Sequence, residues 1–220
     1  MPRTGAVIFD MDGVIVNSEP LHERAFYDVM NQLGYGEHHG IRVADYIGRS
    51  DFELWKDFIA RHRPSQTMDE LLALKRKRLI EWMAHADPIF RGLPELIAKV
   101  AAHYPLALAS GSERPFIEAV LGLKDLRPFF SVVVNAADVK HGKPAPDIFL
   151  LAARLLGVVP ADCWVIEDSK PGVMAGLAAG MRVIAITNTH PAEELAPATH
   201  VVRSYNEIEQ LLLPPGRGRV

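Results

Sequence analysis

Two aspartates near the start of the chain are the first residues whose types and spacing could do chemistry. They follow Ala6–Phe9, an apolar run without a polar break, which is typical of a strand buried on both faces of a parallel sheet. Asp10 and Asp12 come directly after this run, and Gly13 follows them. Ligands of open α/β sheets bind outside the carboxyl ends of the strands. We therefore expect the two carboxylates to hold something cationic at this strand end.

Three later strand-like runs also end in residues suited to a phosphate or a divalent metal. Ser110 offers a hydroxyl, and the small Gly111 leaves backbone N–H groups available to an anion. Lys143 is a single cation in a loop restricted by proline, and Glu167 and Asp168 close the last run. Each residue alone has an ordinary explanation, as a strand end, a solvated lysine or a helix cap. Four such groups in order, each at a predicted strand end, favour one shared site.

Several carboxylates at one sheet edge repel one another unless a hard cation such as Mg²⁺ lies between them. We therefore expect a hard divalent cation such as Mg²⁺ as the cofactor.

From about Leu93 onward, the segments that must position these residues alternate between helix-like and strand-like patterns. This alternation implies right-handed crossovers and a parallel sheet. Between about residues 17 and 88 every pattern is helical. We predict a doubly wound, Rossmann-like α/β core of residues 1–16 and 89–220, with an inserted all-helical domain of residues 17–88. Because the insertion follows the carboxyl end of a strand, we expect it to act as a cap.

Composition narrows the possible partners. The 220 residues carry a net charge of −3, and the isolated basic run Lys75–Arg78, interpreted as a solvated helix face, does not suggest nucleic-acid binding. Neither a secretory signal pattern nor an apolar stretch long enough for a bilayer is present. The single cysteine, Cys163, excludes an intrachain disulfide. We expect a cytoplasmic protein, monomeric or a small homo-oligomer, that contacts neither nucleic acid nor membrane.

The four motifs together resemble those of the haloacid dehalogenase-like hydrolase superfamily. They read Phe9-Asp10-Met11-Asp12-Gly13, Ser110-Gly111, Lys143-Pro144 and Glu167-Asp168, and the resemblance covers nearly the whole chain. The stretch Phe9–His22 is similar to the branch that contains sugar-phosphate phosphatases and β-phosphoglucomutase.

The resemblance implies a role for each motif residue. Asp10 would be the nucleophile that forms an aspartyl-phosphate, and Asp12 the general acid and base. Ser110 and Gly111 would bind phosphate oxygens, and Lys143 would offset the charge of nucleophile and phosphate.

The metal site that the resemblance implies shares residues with the catalytic motifs. Asp168 would bind Mg²⁺ together with the Asp10 carboxylate and the Asp12 backbone carbonyl, and Glu167 would support them.

Three residues of the predicted cap are candidates for substrate binding. His22 would assist Asp12, although a partly exposed helix histidine explains it equally well. Arg49 occupies a loop that in this branch reaches the substrate. Lys77 could join it, although its basic run is more often a solvated helix face.

We expect a Mg²⁺-dependent phosphatase acting on a small phosphorylated metabolite, most simply a sugar phosphate. The alternative is a phosphomutase of the β-phosphoglucomutase kind, but Ser110–Arg114 departs from the usual mutase run ending in Lys-Asn. A 2-haloacid dehalogenase ranks lower, because Asp12 argues for protonating a leaving oxygen. A binding protein without catalysis ranks last.

Overall fold

The computed structural model describes residues 5–46 and 51–213. The described chain divides into two compact units, one up to Val16 and from Ile89 onward, the other Asn17–Pro88. The first unit is α/β and the second is all-helical. Arg49, one of the predicted substrate residues, lies outside the described residues.

Six strands of the described chain form one parallel sheet. They are β1 (Ala6–Phe9), β2 (Leu106–Ala109), β3 (Phe130–Val134), β4 (Cys163–Glu167), β5 (Arg182–Ile186) and β6 (His200–Val202). Their order in the sheet is β3-β2-β1-β4-β5-β6, so the direction of winding reverses beside β1. The predicted doubly wound α/β fold is confirmed, and the reversal point is where ligands of such sheets bind.

The helical unit is built from α1 (Glu19–Gln32), α2 (Asp51–His62) and α3 (Met68–His85). Both α1 and α2 pack against α3, and their shared apolar core includes Phe26, Trp55, Phe58 and Leu71. The interpretation of Lys75–Arg78 as a solvated face is wrong for its first residue. Lys75 is only 3% exposed, because it falls in the row of residues four apart that α3 buries, with Leu71 and Leu79 on either side.

The α/β unit carries the remaining helices of the described chain. They are α4 (Leu93–Ala101), α5 (Arg114–Gly122), α6 (Asp147–Leu156), α7 (Lys170–Ala178), the short α8 (Ala192–Leu195) and α9 (Tyr205–Leu212). Helix α6 packs against β1, β2 and β3, and α7 packs against β4 and β5. Both helices share an apolar core with the sheet that includes Ile8, Phe149 and Val173. This packing fixes the strand ends that carry the predicted site.

No helix within residues 5–46 and 51–213 combines the length and apolar character needed to cross a lipid bilayer. The cytoplasmic location and the oligomeric state stay predictions.

Candidate active site

The register of the sheet places Asp10 between the ends of two neighbouring strands. Phe9 pairs with Leu108 of β2 and with Ile166 of β4, and the Asp10 amide donates to the Ile166 carbonyl at 2.9 Å. The residues that follow these partners therefore lie beside Asp10 at one sheet edge. Asp10, Ser110, Glu167 and Asp168 are all buried there.

Lys143 reaches this edge from the loop after β3, where the Lys143–Pro144 peptide bond is cis. Its ammonium forms an ion pair with Asp10 and another with Glu167, the second with Nζ 2.7 Å from Oε1. Burial alone would lower the pKa of Lys143, but the charges of Asp10 and Glu167 raise it overall. Lys143 therefore stays protonated and partly neutralises the cluster.

Both carboxylate oxygens of Glu167 are already occupied by protein donors. Oε1 accepts from Lys143, and Oε2 accepts from the amides of Asp168 and Ser169 at 2.8 and 2.9 Å and from the Ser169 hydroxyl at 2.9 Å. Burial alone would raise the pKa of Glu167, but Lys143 and these hydrogen bonds lower it. An ionised Glu167 thus holds Lys143 in place.

The acidic cluster has the composition that a hard divalent cation prefers. Asp10, Glu167 and Asp168 each offer a carboxylate oxygen, and these oxygens lie within 4.8 Å of one another. Burial and the charge of Glu167 raise the pKa of Asp168 to about 7. Burial also raises the pKa of Asp10, despite the opposing charge of Lys143. Carboxylates whose ionised forms are disfavoured in this way fit a site completed by a bound cation.

Asp12 points its carboxylate at the turn after β2 instead. The Ser112 hydroxyl donates to Asp12 Oδ2 at 2.7 Å, and the Ser110 hydroxyl lies 3.5 Å from the same oxygen. The Ser112 amide in turn donates to Ser110 Oγ at 3.0 Å, and Gly111 between them is exposed. Sequence reasoning gave no role to Ser112, although its hydroxyl stands in the same small-residue turn. The structure thus brings Asp12, Ser110 and Gly111 together and adds Ser112.

A fifth strand end also contributes residues that sequence reasoning missed. Thr189, shortly after β5, donates its hydroxyl to Asp168 Oδ2. Its neighbour Asn188 donates to the Gly13 carbonyl at 2.7 Å. The signal was present, because Thr187, Asn188 and Thr189 form a polar run directly after an apolar strand.

Within the helical unit, the two described candidates for substrate binding, His22 and Lys77, differ in their surroundings. His22 Nδ1 lies 3.2 Å from Nζ of the buried Lys75, and Lys75 forms an ion pair with Asp51. Burial lowers the pKa of Lys75 against the opposing charge of Asp51. Lys77 is exposed. The lysine next to His22 is therefore Lys75, which the four-residue periodicity of α3 could have identified.

A family model described as a haloacid dehalogenase-like hydrolase matches residues 4–180. The chain belongs to the haloacid dehalogenase-like hydrolases. This hydrolase is 34% identical to fructose-1-phosphate phosphatase YqaB of Escherichia coli, over 83% of this chain and 96% of that protein. It is 36% identical to hexitol phosphatase B of Escherichia coli, over 82% of each chain.

Among solved structures, this hydrolase is similar to β-phosphoglucomutase from Clostridium difficile. The TM-score is 0.71 at 25% identity, over 93% of this chain and 92% of that chain. The family that the four motifs predicted is thus confirmed.

Proposed function

We propose that this hydrolase is a Mg²⁺-dependent phosphatase that cleaves a small sugar phosphate through an aspartyl-phosphate intermediate. The observation that carries the proposal is the half-buried Lys143, whose ammonium pairs with Asp10 and Glu167 at the strand edge where Asp168 also lies. A carboxylate can attack a phosphate dianion only where the charges of both are offset, and Lys143 would supply part of that offset and a bound cation the rest.

The first half of the reaction would transfer the phosphoryl group to the protein. An oxygen of Asp10 attacks phosphorus, and the bond from phosphorus to the leaving oxygen breaks. Protonated Asp12 gives its proton to that oxygen, so the sugar departs as a neutral alcohol. General acid catalysis of this kind contributes about 10²–10⁴-fold. Ser110, Gly111 and Ser112 would hold the non-bridging phosphate oxygens.

The second half would return the protein to its starting state. Asp12, now a carboxylate, takes a proton from a water molecule as the water oxygen attacks phosphorus. The bond between phosphorus and Asp10 breaks, and inorganic phosphate leaves. Asp12 is again protonated and Asp10 is again a carboxylate, so the cycle closes.

Mg²⁺, when bound, would offset the charge of the transferring phosphoryl group. The carboxylates of Asp10 and Asp168 and the backbone carbonyl of Asp12 would hold it. Because both oxygens of Glu167 already accept hydrogen bonds, its part would be to hold Lys143 and support this shell.

The relatives support a sugar phosphate as substrate, because their names specify fructose 1-phosphate and hexitol phosphates. In this proposal the helical unit is the cap that selects the sugar. His22, Arg49 and Lys77 are its predicted contacts, and His22 lies next to the buried Lys75.

A phosphomutase is the second candidate, supported by the similarity to β-phosphoglucomutase. The turn after β2 disfavours it. Glu113 and Arg114 stand where the mutase pattern ends in Lys-Asn, and the Arg114 guanidinium donates to the Val133 carbonyl at 3.1 Å and to Asp138 at 3.3 Å. Arg114 is thereby engaged inside the α/β unit, which favours hydrolysis.

Asp10→Asn tests the proposal directly. We expect the wild type with Mg²⁺ to release phosphate from p-nitrophenyl phosphate and from members of a sugar-phosphate panel. The rate of phosphate release should fall about 10³-fold or more in the variant, because an amide is a poor nucleophile. Chelation with EDTA should also abolish turnover, and added Mg²⁺ should restore it.

Asp162→Asn is the matched control, because Asp162 is exposed and directly precedes β4 at the opposite end of the sheet. It should retain wild-type turnover. Full activity of Asp10→Asn would contradict the nucleophile assignment. An isomerised sugar phosphate formed without free phosphate would identify a mutase instead.

A further inference from the structure

The loop that carries Asp12 packs directly against Asp168. It closes on itself, with the Ile15 amide donating to the Met11 carbonyl at 2.7 Å and the Gly13 amide to the Val16 carbonyl at 2.9 Å. Gly13 has a φ of +78°, and a Cβ at this position would overlap the Asp168 carboxylate. A small movement of this loop therefore changes the surroundings of Asp168.

Gly13 has no side chain that would restrict its backbone conformation. Glycine occupies positive and negative φ about equally well, so the peptide groups on either side of Gly13 can rotate at low cost unless something holds them. The peptide before Gly13 carries the carbonyl of Asp12. The amide of that same peptide donates to the Val16 carbonyl within the loop, whereas the two peptides after Gly13 depend on restraints from elsewhere in the fold, and these set the position of the whole loop.

Two side chains from distant parts of the chain supply such restraints. Asn188 Nδ2 donates to the Gly13 carbonyl at 2.7 Å and to the Tyr205 hydroxyl at 2.9 Å, and Tyr205 donates to the Val14 carbonyl at 2.7 Å. Because a carbonyl can only accept, both N–H groups of Asn188 and the one O–H of Tyr205 are committed. Burial raises the pKa of Tyr205, which keeps its hydroxyl protonated.

We propose that Asn188 and Tyr205 are positioning residues that fix the Asp12–Val14 backbone beside Asp168, so that the Asp12 carbonyl and the Asp168 carboxylate can engage one divalent cation. The proposal rests on the proposed function for the presence of that cation. Neither residue touches substrate or metal in this role. They act through the backbone of the loop, where misplacement by about 1 Å is costly.

Tyr205→Phe tests the proposal, because it keeps the ring and removes only the hydroxyl. Binding of Mg²⁺ is measured by isothermal titration calorimetry on the substrate-free protein. We expect about tenfold weaker binding, the scale found when groups that orient metal ligands are removed. Asn188→Ala removes both donors and should weaken binding at least as much. The KM for substrate at saturating Mg²⁺ should change little in either variant.

Tyr104→Phe is the matched control. The Tyr104 hydroxyl also donates to a backbone carbonyl, that of Leu212 at 3.2 Å, and Tyr104 is likewise half-buried. This variant loses the same kind of hydrogen bond without touching the loop, so it should bind Mg²⁺ like the wild type. Thermal unfolding of each variant verifies that it is folded at the temperature of the titration.

Equal Mg²⁺ affinity in Tyr205→Phe and Tyr104→Phe would overturn the proposal. If Tyr205→Phe does not fold, the comparison of Asn188→Ala with Tyr104→Phe decides in the same way. Failure of the proposed function has a different signature, since a wild type that binds Mg²⁺ but hydrolyses no phosphate ester would refute the phosphatase and leave this binding comparison intact.

Discussion

At the scale of single residues, the site depends on how closely Glu167 lies against the start of α7. A Cβ on Gly172 would overlap Glu167 Oε1, the oxygen that accepts from Lys143. The absence of a side chain at position 172 is therefore what leaves room for the ion pair. The same ion pair holds Lys143 next to Asp10.

Gly172→Ala should consequently impair catalysis as well as stability. The added methyl group must displace the Glu167 carboxylate, and overpacking of this kind costs about 1–3 kcal/mol. We expect kcat to fall about tenfold or more, because Lys143 loses one of its two carboxylate partners. Steady-state kinetics together with chemical denaturation measure the two effects separately.

Gly176→Ala provides the comparison on the same helix. Its Cβ would come 2.7 Å from Val183 Cγ2, in the apolar core and away from the ion pair. This variant should lose stability but keep the wild-type kcat of the folded protein. Equal losses of kcat in both variants would argue against a role for Gly172 in placing Glu167.

At the scale of elements, α3 and α7 are both capped by a side-chain hydroxyl at the N-terminus, but the two capping residues differ in what else they contact. Thr67 accepts from the Glu70 amide at 3.3 Å and caps α3. Ser169 accepts from the Gly172 amide at 3.2 Å and caps α7, but its hydroxyl also donates to Glu167. The cap of α7 is thus part of the site, whereas the cap of α3 stabilises a helix of the other unit.

Replacing each cap with alanine should separate these roles. Thr67→Ala and Ser169→Ala should each cost about 1 kcal/mol of stability, the usual loss for an N-cap. Only Ser169→Ala should also reduce kcat, because Glu167 loses a donor. Denaturant midpoints and kcat for the two variants measure this, and an unchanged kcat in Ser169→Ala would show that the cap is structural only.

At the scale of the whole molecule, the buried acids link stability to pH and to metal. Folded Asp168 keeps its proton up to about pH 7, whereas the unfolded chain releases it near pH 4. The folded state therefore binds more protons between these values, and this group makes the metal-free protein less stable as the pH rises through that window. A bound cation needs the ionised carboxylate, so it opposes this loss.

Mg²⁺ should accordingly raise the melting temperature more at pH 8 than at pH 6. Protonation of one carboxyl with a pKa of about 7 weakens metal binding on the order of tenfold at pH 6, which reduces the stabilisation by mass action. Differential scanning fluorimetry with and without Mg²⁺ measures the shift, and NaCl at equal ionic strength is the control. In Asp168→Asn, which lacks this carboxylate ligand, Mg²⁺ should raise the melting temperature little at either pH, and a persistent pH-dependent shift would assign the effect to another group.

Much of the fold followed from local patterns along the chain. Strand β1 begins and ends at the predicted residues, because an unbroken apolar run is typical of a strand buried on both faces. The helices of the insertion were equally plain, since their apolar residues recur at helical spacing. The clustering of Asp10, Ser110 and Asp168 followed as well, because the carboxyl ends of parallel strands meet at one edge.

Other features could not be predicted from the sequence, because they depend on which distant residues approach one another in the folded chain. The sequence by itself determined the α/β fold and the four motif positions, since apolar periodicity and strand-end position are local properties. Only the tertiary structure decided that Glu167 is occupied by Lys143 and backbone amides, and that Asn188 and Tyr205 hold the Asp12 loop. Those contacts join segments up to 191 residues apart, and no spacing along the chain encodes them.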